Sequence, residues 1–228
     1  MTSRPALADL GPIAQLRAGR LGRRLPQLLV GLVLYGVSLG LMVRGSLGVA
    51  PWDVLHLGLA EHLPLTLGGA LVLTAALVMV LWIPLREMPG IGTVANALMI
   101  GPSADATLAL VDRPDAFVAR LALLVGGVLL CALATAMYIG AQFGRGPRDG
   151  LMTGLVRRTG LSIRLVRTAL EVSVVVIGVL LGGPLGLGTV LFALAIGPLT
   201  QAFLPAWIVP LAAAAPGQDE AIVSSAIR

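Results

Sequence analysis

The sequence predicts an all-α, polytopic membrane protein made of two tandem homologous repeats. Composition is the first reason. Of 228 residues, 57% are hydrophobic and 12% charged, with a mean hydropathy of +0.95, whereas soluble domains are about 45–50% apolar and 25% charged. The second reason is a recurrence of apolar runs long enough to cross a hydrocarbon core of about 30 Å. The third is self-similarity. Displaced by 96 positions, residues 31–105 lie over residues 127–201 without a gap, with about 21 of roughly 75 positions identical. Core packing alone would repeat leucines, but it would not keep Gly, Pro, Asp and Thr in register.

The elements follow in order. Residues 1–24 form a basic leader, with Arg17, Arg20, Arg23 and Arg24 ahead of the first apolar run. The leader lacks an apolar h-region and a small-residue cleavage site, so the expectation is an uncleaved first span with a cytoplasmic N-terminus. Leu7, Leu10, Ile13 and Leu16 recur every three residues, which suits either a stretch lying on the membrane surface or a disordered leader. Repeat 1 covers residues 25–111, with spans at 25–43, 67–85 and 91–111 and a short segment at 51–62. A polar joint at 112–118 contains Asp112, Arg113, Pro114 and Asp115. Repeat 2 covers 119–209, with spans at 119–140, 165–182 and 187–209 and a short segment at 147–158. Residues 210–228 form a C-terminal tail that frays from 216 onward. Trp52, Trp82 and Trp207 fall at the ends of runs, where interfacial aromatics are expected.

Topology turns on the two short segments. A helix of 11–13 residues covers only about 16–20 Å, too little for a straight span. If they do not cross, six helices span and the repeats insert in opposite senses, an inverted 3+3 arrangement. The arginine count is then about 13 inside to 3 outside. If they cross, the repeats are parallel, 4+4, and the count is about 12 to 4. The shortness of the segments favours the inverted arrangement, with the short helices re-entrant.

All sixteen basic residues are arginines, and their clustering at helix ends reads as positive-inside patterning rather than a nucleic-acid surface. Cys131 is the single cysteine, so neither an intrachain disulfide nor a cysteine metal site can form. Histidines 56 and 62 lack the i,i+4 spacing of a helical metal pair, and each is expected at the interface. No metal motif, phosphate loop or nucleophile elbow is present. No catalytic residues and no cofactor are therefore expected.

The candidate binding residues come from the repeated blocks. Gly48-Val-Ala-Pro-Trp-Asp53 matches Gly144-Arg-Gly-Pro-Arg-Asp149. Pro51 and Pro147 suit a first helical turn, and Asp53 and Asp149 then complement the positive helix end. That is the structural reading of the two carboxylates. The functional reading is that both sit at broken helix ends, where transporters hold substrates and ions. Trp52 stands where Arg148 stands in the second copy, giving one apolar and one cationic wall, suited to an asymmetric or anionic ligand.

In the second block, Gly92-Thr93 matches Gly188-Thr189, with each threonine expected to cap the following helix. Pro102 and Pro198 fall near mid-span and should kink or open their helices. Asn96 and Asp105 flank the first proline. Glu171 lies four residues after Arg167, within an apolar run, as an ion pair or as part of a gate. Gly36 and Gly40, and Gly126 and Gly127, suit close helix packing.

These blocks resemble the YczE branch of the YczE/YyaS/YitT family of bacterial integral membrane proteins. The likeness is carried by Gly48-Val-Ala-Pro-Trp-Asp53, Pro89-Gly-Ile-Gly-Thr93 with Asn96, Gly146-Pro-Arg-Asp-Gly-Leu151, Arg158-Thr-Gly-Leu-Ser162, Val166-Arg167 with Glu171, and Ile196-Gly-Pro198. It covers residues 25–205. The resemblance implies a multi-pass protein of a bacterial cell membrane and supplies no substrate. The expected function is a small transporter with a site between its repeats, taking an unidentified small molecule or ion. The alternative is a non-transporting scaffold that docks a cytoplasmic partner through its arginines. The bilayer is the expected surrounding, nucleic acid is not an expected partner, and self-association is left open.

Overall fold

The computed structural model describes residues 11–211, and every element among them is helical. The helices are α1 (Pro12–Arg17), α2 (Leu21–Gly45), α3 (Pro51–His62), α4 (Leu67–Leu85), α5 (Ile91–Leu110), α6 (Phe117–Gly140), α7 (Pro147–Thr159), α8 (Ile163–Leu180) and α9 (Leu187–Trp207). Each apolar run and each short segment read from the sequence corresponds to one of them. Leu7 and Leu10 of the leader, and the tail from 216 onward, lie outside the described residues. Four helices, α2, α4, α6 and α9, are long and apolar enough to cross a membrane. Helix α8 has 18 residues and carries Arg164, Arg167 and Glu171, while α5 has 20 and carries Asn96 and Asp105.

α2 and α6 form the centre and run antiparallel. Gly31 of α2 meets Ala134, Met137 and Tyr138 of α6, whereas Gly127 of α6 meets Ser38 and Met42 of α2. A Cβ at either glycine would come within 3.0 Å of the other helix's backbone, so glycine is what lets the two axes approach. Around this pair, α5 packs on α2 and α9 on α6. The short helices cross over, with α3 packed on α8 and α7 packed on α4.

These contacts recur at the 96-residue displacement. The Gly92 N–H donates to Phe143 O at 2.8 Å, and the Gly188 N–H donates to Leu47 O at 2.8 Å. Gly58 lies against Leu181, and Gly154 against Leu85. Arg24 donates to Ala141 O (2.9 Å) and Gln142 O (2.7 Å), while Arg120 donates to Gly45 O (3.0 Å) and Ser46 O (2.6 Å). The loop backbones also match. Ser46 and Gln142 are both left-handed, at φ 50° and 57°, and are followed by Gly48 and Gly144 at φ 117° and 102°. Those two glycines need the positive φ to turn the chain into the prolines that start α3 and α7.

The core is apolar, with Leu28, Leu32, Leu39, Met42, Cys131 and Phe143 nearly inaccessible. The outside is apolar too, with Val80, Ile83, Leu110, Leu187 and Leu194 all exposed. Polar side chains are instead drawn inward, the reverse of a water-soluble domain and the arrangement a lipid solvent favours.

Several expectations are corrected. Of the two expectations for Pro102 and Pro198, a kink or an opening, the opening is overturned, because α5 and α9 continue as helix through both prolines. In α5 the Ser103 hydroxyl donates to Met99 O at 2.8 Å, in the turn the proline loosens, the kind of local repair that makes proline tolerable there. Thr93 is not the N-cap of α5. That position is Gly90, and Thr93 Oγ1 reaches back to accept from the Gly90 N–H at 3.0 Å while donating to Arg145 O at 2.6 Å. Thr189 likewise lies inside the first turn of α9, after the N-cap Gly186. Trp52, Trp82 and His56 are buried against other helices, because each has a partner there that orients it.

Candidate functional site

A cavity of about 290 Å³ opens between the two halves of the chain. Its walls come largely from positions 96 apart: Pro51 with Pro147, Trp52 with Arg148, His56 with Met152, Ala75 with Glu171, Asn96 with Phe192, and Ile100 with Ile196. The first turns of α3 and α7 face it from two sides, because proline starts both helices directly after the turn glycines. Tyr35 of α2 and Tyr138 of α6 stand at its inner end, their ring centroids 6.1 Å apart and edge-on.

Two arginines line the cavity, Arg167, which is paired with Glu171, and Arg148. Arg148 Nη2 donates to the Tyr35 hydroxyl, and its guanidinium lies 5.8 Å from the Tyr35 ring and 5.5 Å from the Trp52 ring. Weak hydration of a guanidinium makes such packing between aromatics favourable. Asp53 and Asp149 are both near enough to act on the charge of Arg148, yet among the described residues no carboxylate pairs with it directly. Asp149 accepts from the Tyr138 hydroxyl at 2.9 Å. Adjacent residues of opposite charge are thus each held by a tyrosine rather than by each other.

Asp53 is turned to His56, whose Nδ1 lies 2.9 Å from Asp53 Oδ1. Both are buried, at 1% and 2% exposure, and Asp53 Oδ2 has no hydrogen-bond partner. Asp53 and Asp149 stand in the first turns of α3 and α7, where a carboxylate suits the positive helix end, while the N-cap positions are Ala50 and Gly146. Asp53 does not itself line the cavity, whereas Thr74 and Thr200 do, and their hydroxyls are buried with no partner among the described residues. In a protein interior such groups are costly unless something else satisfies them.

The other candidates are divided. Asn96 lines the cavity beside Gly146 and Asp149. Glu171 lies at its edge, paired with Arg167 at 2.9 Å. Asp105 is elsewhere: its Oδ1 accepts from the Gly68 N–H at 2.8 Å and its Oδ2 from the Thr66 hydroxyl at 2.6 Å, tying α5 to the start of α4. Gly92, Gly188, Thr93 and Thr189 serve helix starts outside the cavity, and Pro102 and Pro198 lie within α5 and α9 without lining it. Sequence reasoning missed Tyr35, Tyr138 and Thr74. The chain has only two tyrosines, and both proved to be at the site, a rarity that could have flagged them.

A cradle for a metal is absent among the described residues, where no group of three or more His, Cys, Asp or Glu could hold an ion. Trp82 shapes the site from behind. Its Nε1 donates to Pro147 O at 3.0 Å, and its ring occupies the space a side chain at Gly150 would need.

Comparison with known proteins agrees with this layout in extent. An uncharacterized protein of Haemophilus influenzae is 42% identical over 177 residues, 78% of this chain and 81% of the relative. The uncharacterized membrane protein YczE of Bacillus subtilis is 30% identical over 177 residues, 77% of this chain and 82% of its own. The uncharacterized protein YyaS of Bacillus subtilis is 26% identical over 180 residues, 77% and 90% of the two chains. No solved structure matches. The match to the family of unknown function DUF6198 spans residues 22–205, the helices from α2 to α9 that enclose the cavity, and the chain belongs to that family.

Proposed function

We propose that this chain is a small transporter of the bacterial cell membrane that binds its ligand in the cavity between its two halves. In this reading six helices cross the bilayer (α2, α4, α5, α6, α8 and α9), while α3 and α7 enter only part way. The halves are inverted repeats. The antiparallel packing of α2 on α6 supports this, as do the reciprocal bonds of Arg24 and Arg120. Such repeats put the binding site at their interface, at interrupted helices near the midplane. The observation that carries the reading is Arg148 facing a cavity among apolar helices with no carboxylate bound to it. A charge in that position is expensive and is retained for a function.

The docking alternative draws less support. Of its arginines, Arg157 pairs with Glu87 at 3.0 Å and donates to Leu85 O, and Arg167 pairs with Glu171. They are occupied within the chain.

The test is thermal stability of the purified protein against a broad panel of metabolites and ions. A ligand at a hundredfold excess over its Kd adds about 2.7 kcal/mol of apparent stability. A shift lost in Arg148→Gln or Asp149→Asn, with the variant still folded, supports the reading. A flat response across the panel from well-folded protein moves the weight to the docking scaffold.

A further inference from the structure

We propose that the cavity is a site for a small zwitterion, a molecule of amino-acid size carrying one carboxylate and one ammonium; this rests on the binding-site reading above. Two opposite charges, on Arg148 and Asp149, face the same cavity, and among the described residues neither is paired to the other nor to any other ion. Tyr35 holds the guanidinium by one nitrogen, which leaves its remaining N–H groups for a bidentate anion. Tyr138 holds one oxygen of Asp149, which leaves the other as an acceptor.

An inorganic anion would answer the arginine alone and would sit against Asp149. A metal or amine cation would answer the aspartate alone and would sit against Arg148. Only a ligand with both charges satisfies both groups. Size agrees, since about 290 Å³ lies at the small end of ligand pockets, which run from about 300 to 1,000 Å³. Ile100 and Phe192 offer an apolar wall for a short side chain.

The test uses the full chain in lipid nanodiscs and isothermal titration. Alanine, serine, valine and leucine are each compared with the carboxamide, which keeps the ammonium, and with the des-amino acid, which keeps the carboxylate. The expected result is binding of at least one amino acid, with both of its single-charge analogues at least tenfold weaker. Arg148→Gln should then weaken the amino acid tenfold and leave its carboxamide unchanged, and Asp149→Asn should do the same for the des-amino acid. The analogue series needs no mutant, so it stands even if a variant misfolds. A des-amino acid that binds as well as its parent overturns the zwitterion and leaves the binding site standing. No binding by any probe also overturns it, and the broad panel then decides separately whether the cavity binds anything.

Discussion

Arg24 and Arg120 make the same bond in opposite directions. Each stands near the start of one central helix and donates to the last carbonyls of the other, Arg24 to Ala141 and Gln142, Arg120 to Gly45 and Ser46. A helix end leaves its final carbonyls without intrahelical partners, and a cation there also suits the helix dipole. The two clamps therefore close both ends of the α2–α6 pair and fix it antiparallel.

The clamps are unequal, and that yields a stability prediction. Arg24 is fully buried, also donates to Gln15 O and Gly19 O, and lies 4.2 Å over the Phe143 ring. Arg24→Ala strands several buried carbonyls and should cost about 3 kcal/mol. Arg120→Ala strands two, more accessible, and should cost about 1–2 kcal/mol. Chemical denaturation in detergent would read both. Equal losses would mean that Arg24 gains nothing from its extra partners.

Glycines in similar sequence settings should behave differently. A Cβ at Gly36 would run into the Ile100 carbonyl and Ser103 of α5, whereas one at Gly126 meets nothing within 4 Å. Gly36→Ala should destabilise by about 1–3 kcal/mol. Gly126→Ala should be neutral or slightly stabilising, as alanine is the better helix former. Melting temperatures of the two variants check this directly.

Asp105 and Asp149 separate structure from binding. Asp105→Ala removes the acceptor that ties down the start of α4 and should cost about 1–2 kcal/mol, with ligand affinity unchanged. Asp149→Asn should keep the fold and lose at least tenfold in affinity. Paired melting and titration of both variants would test it. Loss of affinity in Asp105→Ala would extend the site beyond the cavity.

The tyrosine hydroxyls should act as positioning groups. Tyr138→Phe releases Asp149 and Tyr35→Phe releases Arg148, so each should weaken ligand binding about three- to tenfold while the edge-on rings keep the core packed. Titration of the two variants checks this. Unchanged affinity would show that the charges need no tyrosine to hold them.

Topology has its own test. In a Cys131→Ser background, single cysteines replacing Arg17 and Arg113, both exposed, should react with impermeant thiol reagents from opposite sides of the membrane. Three crossings separate them in the inverted arrangement. Labelling from the same side would support four crossings per half and parallel repeats.

The sequence by itself determined helices α2 to α9, with limits within about one turn of those observed, and did not show α1. Apolar runs, turn glycines and first-turn prolines are local features, and α4, which spans 67–85, was legible to the residue. The sequence also marked Asp53, Asp149, Trp52 and Arg148 as candidates, because they stand at matching places in two similar blocks. Packing decided the rest. That Asp105 ties down a neighbouring helix, that Trp82 and His56 face inward, and that Thr93 bonds back to Gly90 all depend on which helix lies alongside. Arg24 and Arg120 share the 96-residue spacing, but nothing in the linear chain says that each reaches across to the other half. Periodicity fixes which residues share a face of one helix. Only the tertiary structure, where α2 meets α6 through Gly31 and Gly127, decides which faces meet and which charges share a cavity.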